Sequence, residues 1–303
     1  MDAEGEAILT VCLLGGTGTG KSSTCNTLFG CRSNDVFPVS HGTASATCRP
    51  QVAVLPWRGT GRLVRCVDVP GLGHTSGHDR QRVGDTVEAL RGTVREVHLF
   101  LLLLNSQAPR FDIHQQEMLT QFRQALGVDF LRHLMIGFSR WDFRPSASRR
   151  RQRRCQTEAW KASVTNKELR SLLGHDFDCP CVFLDNSLNA LSDADLEQEF
   201  WGELPDVLHA FEAELQKVLS FMCGRRPFQC RELRPAAAFE PRPLVRTDLL
   251  AKLTSPPQGK KVQRLGHAGP DRDPDPPTLE SFLRKPWEMP VLSLSDWWSS
   301  PPW

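Results

Sequence analysis

Gly15-Gly16-Thr17-Gly18-Thr19-Gly20-Lys21-Ser22 has the form G-x-x-x-x-G-K-[ST], a complete phosphate-binding loop. Gly15, Gly18 and Gly20 let the backbone wrap tightly, so that successive N–H groups point at one anion. Lys21 then reaches the β- and γ-phosphates of a nucleotide, and the Ser22 hydroxyl is placed to ligate Mg²⁺. The flanks agree with that reading. Ile8 to Leu14 is a short apolar run suited to a buried parallel strand. Ser22 to Phe29 continues as a helix whose N-terminal dipole faces the anion. The nucleotide-binding set on this segment is Gly15, Gly16, Thr17, Gly18, Thr19, Gly20, Lys21, Ser22 and Ser23.

Outward from the loop, apolar strand candidates recur at 8–14, 51–56, 62–68, 97–104, 133–138 and 181–184. Helical stretches lie at 78–92, 112–126, 155–173 and 193–222. This alternation predicts an α/β fold, a three-layer P-loop domain with a mostly parallel central sheet. Asp112 is the expected cap of the third helix, whose Met118, Leu119, Phe122 and Leu126 share one face. The domain is expected over 1–224. Beyond Arg226 lie 14 of the 22 prolines and periodicity is lost, so 225–303 is read as a disordered extension. Within it, 249–253 and 279–283 are candidate helical turns. Pro290 to Trp303 carries three tryptophans, an aromatic tail that either docks on a partner or has no specific role.

The chain has 303 residues and a formal net charge of +2, so no specific nucleic-acid binding is expected. No apolar run approaches the ~20 residues of a membrane-spanning helix. The first apolar stretch feeds the phosphate loop and has no basic region before it, so no signal peptide is expected. Ten scattered cysteines, with Cys179-Pro180-Cys181 at the wrong spacing for common zinc pairs, read as reduced structural thiols of a cytoplasmic protein.

Two further motifs narrow the nucleotide. Cys66-Val67-Asp68-Val69-Pro70-Gly71 ends a strand with Asp-x-x-Gly. Asp68 is the expected Mg²⁺ carboxylate, acting through water, and the Gly71 N–H the sensor of the γ-phosphate. Phe138-Ser139-Arg140-Trp141-Asp142 stands where guanine-specific proteins carry [NT]-K-x-D. The Asp142 carboxylate can accept from the guanine N1–H and N2–H₂ edge, which adenine lacks; the alternative is a strand-end Asp capping a turn. Arg140 is available to pack on the base face. Phe183-Leu184-Asp185-Asn186-Ser187 closes another strand, where a backbone or Asn contact would complete the base pocket.

In order and spacing these residues resemble the immunity-associated (AIG/GIMAP-type) GTPase domain, in the septin-like and chloroplast-import-receptor branch of P-loop GTPases. The likeness runs over roughly 8–220. It rests on Leu13 to Gly30, on Val67 to Leu72, and on a box formed by His98 to Leu104, Arg110-Phe111, Gln115 to Glu117 and Phe138 to Asp142. The resemblance implies a switch hydroxyl at Ser45, with Thr47 and Thr43 as near alternatives, completing a metal set of Ser22, Ser45 and Asp68. It also implies a base contact at Asn186, a box arginine at Arg110, GTP or GDP as ligand, and face-to-face homodimers or oligomers.

Leu72 follows the switch glycine, and leucine cannot orient a water, so intrinsic hydrolysis is expected to be slow. Catalysis is assigned to Lys21 and to Arg110, acting in trans within an oligomer; the alternative for Arg110 is a surface ion pair with Asp112. His74 is a lesser candidate beside the switch. Arg149-Arg150-Arg151-Gln152-Arg153-Arg154 reads as a solvated loop or helix start, or else as a contact with anionic lipid or RNA or a nuclear address; the lipid version would make the protein peripheral on a membrane. The function expected is a GTP-binding switch with slow Mg²⁺-dependent hydrolysis. The alternatives are a GTP/GDP-binding scaffold with negligible turnover and a P-loop kinase or ATPase.

Overall fold

The computed structural model describes residues 8–32, 35–39, 47–72, 79–108, 111–173, 178–233 and 235. Strand β1 (Leu9–Gly15) is buried along its whole length. Its alternate side chains serve two cores, Cys12 and Leu14 in one and Val11 and Leu13 in the other. A strand apolar on both faces needs cover on both, which is why it lies inside a mostly parallel sheet.

The chain then runs α1 (Lys21–Phe29), β2 (Gln51–Pro56), β3 (Leu63–Asp68), α2 (Asp79–Ala89), β4 (Glu96–Val97), β5 (Leu99–Asn105) and α3 (Ile113–Leu126). It continues β6 (Leu134–Ser139), α4 (Pro145–Arg153), α5 (Glu158–Leu173), β7 (Cys181–Leu184), α6 (Asp193–Glu199), α7 (Leu204–Cys223) and β8 (Phe228–Gln229). Six strands form one sheet in the order β2-β3-β1-β5-β6-β7. Every neighbouring pair is parallel except β2–β3. β2 lies at the edge and alternates half-buried with exposed residues, as expected of a strand with one wet face. Side chains of α2, α3 and α5 share one core with Phe100 and Leu102. Those of α1, α6 and α7 share the other with Leu101 and Leu103. The three-layer α/β architecture expected from the strand–helix alternation is the one observed.

Local chemistry sets the element ends. Asp112 caps α3 through a reciprocal pair: its carboxylate accepts from the Gln115 N–H at 2.9 Å, and the Gln115 side chain accepts from the Asp112 N–H at 3.1 Å. The single helix expected over 193–222 is two. Phe200 to Glu203 separate them, with Gly202 at φ +71° and Pro205 in the first turn of α7, a position that needs no N–H donor. The arginine run belongs to a helix of its own, α4. Cys155, at φ +51°, lies between it and α5.

Packing also continues past Gly224, where the sequence places the domain boundary. The Phe228 ring meets Phe100 edge-on at 5.5 Å, and the Cys230 N–H donates to the Arg95 carbonyl at 2.8 Å. All ten cysteines are unpaired. Burial pushes the thiols of Cys12, Cys25 and Cys179 well above their usual range, which keeps them protonated and inert. No helix among the described residues is long and apolar enough to cross a membrane.

Candidate functional site

The carboxyl ends of the parallel strands meet at one edge of the sheet, and the loops leaving them carry the motifs: Gly15 after β1, Asp68 ending β3, Ser139 ending β6 and Leu184 ending β7. At the first, Gly15, Gly18 and Gly20 adopt φ of +146°, +76° and +91°. A Cβ at Gly15 would lie 2.7 Å from the Leu103 carbonyl, so both conformation and space demand glycine there. Gly20 leads into α1, whose first turn holds Lys21, Ser22 and Ser23. The Lys21 ammonium donates to the Gly15 and Gly16 carbonyls at 3.2 and 2.8 Å. Burial lowers its pKa to about 8, with Asp68 pulling the other way.

Asp68 is wholly buried. Its Oδ2 accepts from the Ser22 hydroxyl at 2.6 Å and from the Thr47 hydroxyl at 3.0 Å, and the two hydroxyls are 3.3 Å apart. Its Oδ1 is buried with no hydrogen-bond partner among the described residues. Burial raises this carboxyl, and Ser22, Lys21 and Thr47 oppose the rise. A carboxylate and two hydroxyls gathered together are a hard-cation donor set, and the unpartnered Oδ1 gives that set an acceptor still open to a cation or its water. Of the three hydroxyls considered for the switch, Thr47 is the one among the described residues, and it lies beside Asp68. Ser45 and Thr43 lie outside the described residues, as do His74, Arg110, the candidate turns at 249–253 and 279–283, and the tryptophan-bearing tail.

Gly71 packs against the phosphate loop. A Cβ there would fall 2.5 Å from Thr17 Oγ1 and 2.6 Å from its Cα and N. The Thr17 N–H donates to the Leu72 carbonyl, and the Leu72 N–H to the Gly15 carbonyl, each at 3.3 Å. Arg82, which sequence reasoning missed, donates to the Gly71 carbonyl at 2.8 Å from α2. The Leu72 side chain is buried in the core.

The base motif is brought to the same edge. Arg140, at φ +58°, reaches the Gly18 carbonyl at 3.2 Å and so ties the motif to the phosphate loop. Asn186 Nδ2 donates to Thr24 Oγ1 at 2.9 Å, while its Oδ1 is buried without a partner among the described residues. Asp142 is held by Arg144, whose Nε donates to Oδ1 at 2.9 Å and whose Nη2 donates to Oδ2 at 2.8 Å. Burial pushes the Asp142 carboxyl up, but the Arg144 hydrogen bonds outweigh it and hold the group below its ordinary range. Arg151, from the basic run, stacks 4.1 Å from the Trp141 ring and donates to the Asp142 carbonyl at 2.8 Å. The other arginines of that run, Arg149, Arg150, Arg153 and Arg154, are exposed.

Immune-associated nucleotide-binding protein 3 from Arabidopsis thaliana is 29% identical to this chain over 140 residues, 45% of this chain. The matched stretch spans only 40% of that relative's length. A dimerisation-deficient mutant of Toc33 from Arabidopsis thaliana has a similar fold, with a TM-score of 0.50 and 19% identity over 72% of this chain and 85% of that one. A second Toc33 structure, in complex with Mg²⁺ and GMPPNP, has a TM-score of 0.49 at 18% identity over 73% of this chain and 87% of that one. The AIG1 family model matches residues 9–198, and the chain belongs to the AIG1 family.

Proposed function

We propose that this protein binds guanine nucleotides with Mg²⁺ and hydrolyses GTP slowly to GDP and phosphate, as a switch that works through self-association. The observation that carries the reading is the meeting of Lys21, Ser22, Thr47 and Asp68 at the N-terminus of α1, with Asp142 in the loop after β6 at the same edge of the sheet. Membership of the AIG1 family supports GTP binding. Ser22, a switch hydroxyl and Asp68 fit Mg²⁺, which would neutralise charge on the β- and γ-phosphates.

This chain's own groups supply the rest. The N–H groups of Gly16 to Ser23 and the Lys21 ammonium bind and orient the phosphates. Gly71 lies against Thr17 of the phosphate loop, which supports the role given to its N–H, sensing a γ-phosphate held by that loop. Asp142, Arg140 and Asn186 form the base pocket. With Leu72 buried, nothing at that position orients water, and we assign the missing stabilisation of transition-state charge to Arg110, supplied across a dimer. The fold shared with Toc33 makes a dimer the assembly to test. A peripheral contact between the exposed arginines of α4 and an anionic membrane, and a protein partner for the tail, belong to the same proposal.

Phosphate release from GTP, followed across protein concentration with and without Mg²⁺, tests this reading. Turnover per molecule should rise with protein concentration, need Mg²⁺ and vanish in Lys21→Ala. Tight guanine binding with no turnover at any concentration favours the scaffold reading, which the buried Leu72 also suits.

A further inference from the structure

The carboxylate proposed to read guanine already holds a partner of guanine's shape. Arg144 presents Nε–H and Nη–H as a planar fork to Asp142 Oδ1 and Oδ2, at 2.9 and 2.8 Å, with a further Nε contact to Oδ2 at 3.1 Å. The guanine N1–H and N2–H₂ edge is also a pair of parallel donors, spaced for the same two oxygens. A carboxylate has about four lone-pair sites, and the Arg144 side chain engages both oxygens at once, as a bidentate base edge would have to. Both cannot be held bidentately at once.

We infer that Arg144 is a built-in competitor for the base-reading carboxylate and thereby sets how strongly this protein prefers guanine over adenine. The inference rests on the role proposed above for Asp142.

The surroundings suit an arm that is exchanged and not a fixed strut. The Arg144 side chain is 41% exposed against 25% for Asp142, so the arginine is the outer member of the pair. The Arg144 backbone N–H separately donates to Asp142 Oδ1 at 3.0 Å. That bond keeps the carboxylate aimed when the side chain leaves. The Asp142 backbone is pinned independently, by Arg151 on its carbonyl. A displaced guanidinium also has places to go. The Phe200 ring lies 5.8 Å from it, and the Asp185 and Glu199 carboxylates are near enough to attract it. Adenine offers Asp142 no matching pair of donors and so does not displace the fork. Guanine displaces it and loses part of its advantage doing so.

The test is the ratio of GDP to ADP affinity in the full-length protein with Mg²⁺, for wild type, Arg144→Ala, Arg144→Lys, Asp142→Ala and the Asp142→Ala/Arg144→Ala double variant. The ratio cancels the change in general field that any loss of positive charge imposes on the phosphates. Arg144→Ala should raise guanine preference roughly 5-fold, about 1 kcal/mol at 1.4 kcal/mol per decade. Arg144→Lys, which keeps the charge but not the fork, should raise it too, and Arg144→Ala should do nothing in the Asp142→Ala background. If Asp142→Ala abolishes guanine preference while both single Arg144 variants leave it unchanged or lower it, the competition is refuted and base reading stands. If Asp142→Ala keeps the wild-type preference, base reading fails and the competition with it. Circular dichroism of Arg144→Lys, the conservative variant, separates either result from misfolding.

Discussion

Asp68→Asn separates a carboxylate kept for a ligand from one kept for the fold. Asp68 has one oxygen bonded to two hydroxyls and one buried oxygen with no partner among the described residues. An unpaired buried polar atom costs ~1–3 kcal/mol, more when charged, and the amide removes that charge. Against this, the bonds at 2.6 and 3.0 Å lose their charge assistance, ~1 kcal/mol each, and Lys21 loses a compensating anion. The opposing effects leave a net change within about 1 kcal/mol, or roughly 2–4 °C in the thermal midpoint. Removing one partner of a purely structural buried ion pair would instead cost about 3–5 kcal/mol. The ligand effect goes the other way. At a hundredfold excess over Kd, Mg·GDP should stabilise the wild type by ~2.7 kcal/mol, and the variant should lose most of that. Thermal denaturation of both proteins with and without Mg·GDP reads the two quantities together. A nucleotide-free midpoint lowered by ~10 °C or more, or a Mg·GDP shift that survives in Asp68→Asn, refutes the reasoning.

Three other outcomes follow from the same geometry. Burial places the Lys21 pKa at about 8 in the free protein, and bound phosphates must raise it; GDP affinity should therefore fall as pH rises through 8, by up to roughly tenfold per unit, in titrations from pH 7 to 9.5, and Lys21→Met should bind weakly with no such slope. His98 Nδ1 accepts the Thr10 N–H at 3.1 Å, and burial lowers its pKa from 6.5; between the lowered folded value and 6.5 the unfolded state binds the extra proton, so denaturant midpoints should drop as pH falls below 6.5, less so in His98→Gln. Changing Arg149, Arg150, Arg153 and Arg154 to Gln should abolish co-sedimentation with phosphatidylserine vesicles, at about 1 kcal/mol per arginine near the surface; undiminished binding would make α4 a solvated face.

Much of the site was legible because its information is local. A phosphate cradle is eight consecutive residues, and the left-handed glycines at 18 and 20 can be read one at a time. Asp68 was legible from a buried strand ending in Asp-x-x-Gly, and the capping box of α3 from Asp112 and its helical face. What sequence could not supply is pairing without a period. Nothing in the spacing says that Arg82 holds the Gly71 carbonyl, or that Arg144 rather than solvent faces Asp142. Thr43, Ser45 and Thr47 are chemically alike and fall close together in sequence, so spacing alone did not separate them; of the three only Thr47 is among the described residues, at 3.0 Å from Asp68. The break between α6 and α7 was masked by apolar residues that keep helical phase on both sides of Gly202. The arginine run was compatible with a loop or a helix start, because charge marks a solvated surface equally well on either, and it is a helix that forms, as α4.

The measurement that bears most directly on the central claim is a calorimetric titration of the full-length protein with Mg·GDP and with Mg·ADP. A site that reads the guanine edge through Asp142 should bind GDP at least roughly 100-fold more tightly than ADP, even with Arg144 competing. Equal affinities, or no binding of either, would contradict a guanine-nucleotide switch built on Lys21, Asp68 and Asp142.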